Sequence, residues 1–142
     1  MDRDVIERKL EALRRHVQRI ESKKPFSLGR LETDADLQDI IAMNLTQAVQ
    51  ASVDIGMHIV SDTEANVPET MADVFERLAA RGVIPVPLAQ RMKAAVGFRN
   101  VAVHAYGEVD WNIVSSICDK HVEDFRAFAQ GVAAYALGEE PT

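Results

Sequence analysis

Residues 37–60 read LQDIIAMNLTQAVQASVDIGMHIV, and this stretch decides the fold class. Leu37, Ile40, Ile41, Leu45, Ala48, Val49, Ser52, Ile55 and Ile59 recur at three- and four-residue spacing. That spacing gathers them on one face of a helix. Acids crowd the first turn, so the helix is predicted to begin near Thr33 or Asp34 and to run to about Val60. Gly56 is its one weak point, because glycine costs about 1 kcal/mol relative to alanine inside a helix.

Reading outward from this helix gives more of the same pattern and no convincing strand. A first helix over about 3–22 carries Val5, Ile6, Leu10, Leu13, Val17 and Ile20. Pro25, Ser27 and Gly29 mark a loop after it. Beyond Pro68, a third helix is predicted over about 69–81, with Met71, Val74, Phe75 and Leu78 inward and Gly82 as its C′ residue. Pro85 and Pro87 open a fourth, which carries Leu88, Met92, Ala95, Val96 and Phe98. Asp110 caps a fifth that runs to Leu137 and stops at Gly138. Its predicted inward residues are Ile113, Val114, Ile117, Val122, Phe125, Phe128, Val132 and Tyr135. Long helices with short links make an all-α, up-and-down bundle of about five helices. A chain of 142 residues suits one domain, 1–142, with a core that needs no staples.

The single cysteine, Cys118, excludes an internal disulfide and fits a reducing compartment. The N-terminal MDRDVIERKL has no apolar segment of the signal-peptide kind. No apolar run approaches the roughly 20 residues of a membrane span. The expectation is a soluble cytoplasmic protein without a membrane partner. Net charge is −6, which on its own disfavours nucleic acid, but the charge is unevenly spread. Residues 1–30 hold nine of the sixteen Lys and Arg against five acids, and residues 31–76 hold ten acids and no Lys or Arg. The plainer reading of the basic segment is a solvated helix with pairs such as Asp4 with Arg8 and Glu11 with Arg15. The sharper reading is a basic surface for RNA and an acidic one for a protein partner.

Chemistry concentrates in residues 99–106, RNVAVHAY. As a continuation of the fourth helix, Asn100 and His104 share a face at i,i+4. Arg99 and Tyr106, seven apart, share another. Arg99 and His104 stand about 140° apart on an ideal helix, so they do not meet well. Either the helix breaks near Val103 and lets His104 turn back, or a second chain brings in the same pair. Arginine is a permanently charged fork for phosphate oxygens, and histidine moves protons near neutral pH. Together they suit cleavage of RNA by its own ribose 2′-hydroxyl, which needs neither metal nor cofactor. Asn100 would orient His104 or a phosphate. The plainer reading has a structural histidine, an Arg99 paired with an acid of the second helix, and Tyr106 as a core aromatic.

Asn44, Gln47, Asp54 and His58 follow one line on the second helix. Most of that line reads as a solvated face. Asn44, beside Ile41 and Leu45, is the best candidate for the far wall of a cleft opposite the fourth helix. Cys118, His121 and Asp124 form one fragment of a metal pattern, and no metal site is expected from one fragment. There is no glycine-rich phosphate loop and no Gly-x-Ser-x-Gly.

RNVAVHAY has the form R-x4-H-x-Y. It resembles the signature of the HEPN-domain toxins that pair with minimal nucleotidyltransferase antitoxins. The resemblance extends over residues 37–60 and over VFERLAARGVIPVPLAQRMKAAVGFRN, which leads into the motif. It covers about Leu37 to Phe128, without a departure inside the motif. The resemblance implies an all-α bundle that forms a homodimer with the motif in a cleft at the interface. It implies a metal-independent endoribonuclease with Arg99 and His104 catalytic and Asn100 part of the wider pattern. It also implies that a cognate nucleotidyltransferase antitoxin transfers AMP from ATP to Tyr106. The competing expectation is a non-catalytic HEPN module that binds nucleotide or scaffolds the transferase. The intact Arg, Asn, His and Tyr set favours the ribonuclease, and the negative net charge favours the module.

Overall fold

A computed structural model describes residues 2–63, 68–104 and 109–138, apart from the side chains of Thr63, Arg99 and residues 101–104. Seven helices are present among the described residues: α1 (Arg3–Glu21), α2 (Leu28–Thr33), α3 (Ala35–Thr63), α4 (Met71–Ala80), α5 (Val86–His104), α6 (Trp111–Lys120) and α7 (Val122–Leu137). There is no strand among them. The all-α bundle is therefore as the periodicity predicts, with two differences in how it is divided.

α1 shows how the sequence sets an element. Asp2 caps it, its carboxylate accepting from the backbone N–H groups of Asp4 at 3.0 Å and Val5 at 3.3 Å. Ile6, Leu10, Leu13, Val17 and Ile20 form its buried stripe. α1 runs antiparallel to both α3 and α7. At one end Arg3 Nη2 donates to the Leu137 carbonyl at 2.9 Å, and the Asp2 N–H donates to His58 Nε2 at 3.3 Å. At the other end Arg126 Nη1 stands 3.5 Å from Glu21. Along α3 the predicted face is buried except for Ile40, which is half-buried. Ser52 Oγ belongs to that face because it donates to the Ala48 carbonyl at 2.9 Å.

The first difference is α2, in a stretch that reads as a loop. Ser27 Oγ accepts from the Arg30 N–H at 3.0 Å, and Leu31 is fully buried. Gln38 Nε2 then donates to the Leu31 and Glu32 carbonyls at 3.0 and 3.1 Å. Six residues give no readable period, and a cap plus tertiary burial supply what propensity does not. The second difference is a corner at His121 that divides the predicted fifth helix into α6 and α7. The His121 N–H closes α6 on the Ile117 carbonyl at 2.8 Å, and the Asp124 N–H opens α7 on the His121 carbonyl at 3.0 Å. The apolar positions Ile117, Cys118, Val122 and Phe125 keep helical spacing across the corner, so periodicity hides it. Ile113 and Tyr135, predicted inward, are exposed.

α4 ends as expected. Gly82 adopts φ +78°, and the Val83 N–H reaches back to the Leu78 carbonyl at 3.0 Å. Phe75 of α4 meets Phe128 of α7 edge to face, with ring centres 5.9 Å apart, both fully buried. α5 packs against both α4 and α7. No helix of the described residues is long and apolar enough to cross a membrane.

Candidate active site

α5 carries the motif. Leu88, Ala89, Met92, Ala95, Val96 and Phe98 are its buried residues. Two ion pairs fix it from the side. Lys93 Nζ reaches Glu76 of α4 at 2.5 Å, and Arg91 Nε reaches Asp124 of α7 at 2.6 Å. Asp124 is only 7 % exposed and also accepts from His121 Nδ1 at 2.7 Å. One buried carboxylate therefore ties the motif helix to the α6–α7 corner. A buried carboxylate needs such partners, because desolvation without them is costly.

The helix continues without a break through Val103 to His104. Among the described residues there is no break in α5 that would turn His104 back towards Arg99. Asn100 is exposed and lies four residues before His104, on the same face. Arg99 keeps the angular separation of about 140° from His104 that an ideal helix imposes. The side chains of Arg99 and His104 lie outside the described residues, as does Tyr106 altogether.

Asn44 is placed on the α1–α3 seam. It is 3 % exposed. Its Nδ2 donates to the Ile40 carbonyl at 2.7 Å, and its Oδ1 lies 2.9 Å from Nδ1 of His16 on α1. The rest of its line scatters. Gln47 is exposed, Asp54 accepts from Gln50 at 2.8 Å, and His58 accepts from the Asp2 N–H. Sequence reading missed His16. It flanks the apolar stripe of α1 between Leu13 and Val17, a weak signal without knowledge of which helix packs there.

Of the metal fragment, His121 and Asp124 do meet, but Arg91 completes their cluster. Cys118 is buried, and that burial pushes its thiol up to about 12. Among the described residues no group of three His, Cys, Asp or Glu side chains is arranged to hold a metal ion.

Residues 6–132 match the family model described as ribonuclease HepT-like. The mRNA nuclease HepT of Shewanella oneidensis is 33% identical over 132 residues, which cover 92% of this chain and 98% of that protein. The tRNA nuclease HepT of Aphanizomenon flos-aquae is 24% identical over 133 residues, covering 94% and 90%. Among solved structures, the tri-AMPylated Shewanella oneidensis HEPN toxin in complex with MNT antitoxin superposes with a TM-score of 0.84 at 33% identity. That match covers 94% of this chain and 99% of the toxin.

Proposed function

Because the chain belongs to the ribonuclease HepT-like family, we propose that it is a metal-independent endoribonuclease, the toxin of a toxin–antitoxin pair. It acts in the cytoplasm, and a partner nucleotidyltransferase silences it by transferring AMP to Tyr106. The observation that carries this reading is the similarity over 98% of the length of an mRNA nuclease. An intact Arg99, Asn100, His104 and Tyr106 set supports the reading.

Each residue has a role in this chemistry. An imidazole, His104 of one chain or of its partner, takes the proton from a ribose 2′-hydroxyl. The 2′-oxygen attacks the adjacent phosphorus, and the P–O5′ bond breaks. The products are a 2′,3′-cyclic phosphate and a 5′-hydroxyl, which receives a proton. Arg99 stabilises the charge that builds on the phosphate oxygens. Asn100, one turn before His104, orients the imidazole or a phosphate. The unbroken α5 supports a site shared between two chains, with the cleft at a dimer interface. Tyr106 carries the AMP, whose phosphodiester charge competes for Arg99 and repels the RNA backbone.

Induction of this chain alone, with total RNA examined on a gel, tests the proposal. RNA is expected to be cut in the presence of EDTA and to end in 2′,3′-cyclic phosphates. His104→Ala and Arg99→Ala are each expected to lower cleavage by about 10²-fold or more at unchanged helical content. Cleavage that disappears with chelator overturns the mechanism. A chain that binds the transferase and leaves RNA intact is instead the non-catalytic module.

A further inference from the structure

An open trough of about 970 Å³ runs along the outer side of α1 where it meets α3. Arg14, Arg15 and Arg19 line it with one acid, Glu11. All three arginines are exposed, and none forms a side-chain hydrogen bond or ion pair among the described residues. The expected pairing of Glu11 with Arg15 does not form. In a chain of net charge −6, this trough keeps positive charge uncompensated.

His16 stands among these arginines and, unlike them, is held. The Ile40 carbonyl can only accept, so the amide end that meets it is Nδ2 of Asn44. Asn44 Oδ1 therefore faces His16, and Nδ1 of the imidazole must supply the proton of their 2.9 Å hydrogen bond. The neutral ring then carries its lone pair on Nε2. That nitrogen has no partner among the described residues and is not sealed from solvent. Asn44 is a positioning residue. It presents an oriented neutral acceptor beside the three arginines.

We propose that this trough holds the sugar–phosphate backbone of the RNA substrate. Arg15 and Arg19 contact phosphates, and His16 Nε2 accepts a hydrogen bond from a ribose 2′-hydroxyl. The inference rests on the ribonuclease reading and adds a substrate-binding surface to it. Arginine forks supply affinity for any nucleic-acid backbone, whereas the 2′-hydroxyl is what separates RNA from DNA. The arginines and the oriented acceptor together select RNA over DNA.

Fluorescence anisotropy at pH 8, with labelled single-stranded RNA and DNA of one sequence, tests this. The full-length His104→Ala chain serves as parent so that the RNA survives. Arg15→Glu with Arg19→Glu is expected to weaken both nucleic acids at least tenfold and to lower the salt slope by about 1.4, about 0.7 per phosphate contact. His16→Ala is expected to weaken RNA about fivefold, which is what one neutral hydrogen bond supplies, and to leave DNA affinity unchanged. Melting temperatures control for folding at half-buried position 16, and the exposed arginine pair gives an independent readout. Unchanged RNA affinity in both variants overturns the proposal, as does a His16→Ala loss equal for RNA and DNA. So does loss of transferase binding alone in the arginine variant, which assigns the trough to the antitoxin. Cleavage by the wild type, run in parallel, separates the two readings. A wild type that cuts RNA while the variants bind normally overturns only the trough. A wild type that neither cuts nor binds RNA overturns both.

Discussion

Gly56 on α3 and Leu78 on α4 approach so closely that a Cβ at position 56 would lie 3.0 Å from Leu78 Cδ1, and closer still to Val74 Cγ1. Both neighbours are fully buried, and the β-branched valine has little freedom to turn away. The apparent weak point of the longest helix is thus the place where α4 docks. Gly56→Ala gains about 1 kcal/mol of helix propensity, but overpacking costs about 1–3 kcal/mol. A net loss of stability is expected, seen as a fall of a few degrees in the melting midpoint, with Gly56→Val worse. An alanine variant that melts higher than the wild type would sink this account.

The proposed shared site predicts a dimer. If Arg99 and His104 are the catalytic pair, their positions about 140° apart on α5 call for a second chain. Sedimentation is expected to give about twice 15.7 kDa. A protein that is monomeric at micromolar concentration and still cuts RNA would refute the shared site.

Tyr106 is the proposed acceptor of AMP. Tyr106→Phe keeps the ring and removes the hydroxyl. The variant is expected to stay toxic and to resist neutralisation by the transferase. Intact mass after incubation with ATP and the transferase should rise by AMP increments on the wild type and not on Tyr106→Phe. Equal labelling of both would move the modified residue elsewhere.

Cys118 provides a pH prediction. Burial holds its thiol protonated up to about 12, from an ordinary value of 9.0, with the nearby Lys24 ammonium opposing the shift in part. The folded chain therefore keeps a proton that the unfolded chain loses. The resulting stability is fully present below pH 9 and is lost as pH rises towards 12. Denaturant midpoints of the wild type should fall over that window, and Cys118→Ala should flatten the fall. In the native protein at pH 8 the thiol should react with a disulfide reagent only as fast as the chain opens. Immediate stoichiometric reaction would show that Cys118 is not sealed.

The sequence makes the bundle readable because its long helices repeat their apolar residues over many turns. The stripes of α1 and α3, the Asp110 cap and the stop at Gly138 all follow from local rules. α2 escapes because six residues hold less than two turns, and the corner at His121 escapes because the apolar phase continues across it. Asn44 is legible as buried from its neighbours Ile41 and Leu45. Its bond to His16, 28 residues away, is a property of two helices meeting and leaves no trace in either one. Residues 99–106 stand out in the sequence by residue type, but spacing alone leaves their role open, and a site shared between chains, as proposed, would be encoded in a surface rather than a period.

The short helices have a consequence for how the bundle comes apart. α2 buries Leu31 alone, and α6 buries only Val114, Ile117 and Cys118. α1 sinks five apolar side chains into the core and α7 sinks seven. α2 packs on α6, and Lys24 Nζ holds the Cys118 carbonyl at 2.6 Å where they meet. Local opening is cheapest where least apolar surface is released. The α2–α6 flank is therefore the first to loosen, as one unit, while α1, α3 and α7 stay closed. Because α6 follows residues 99–106 in the chain, the helix that carries the motif borders the softest part of a firm scaffold.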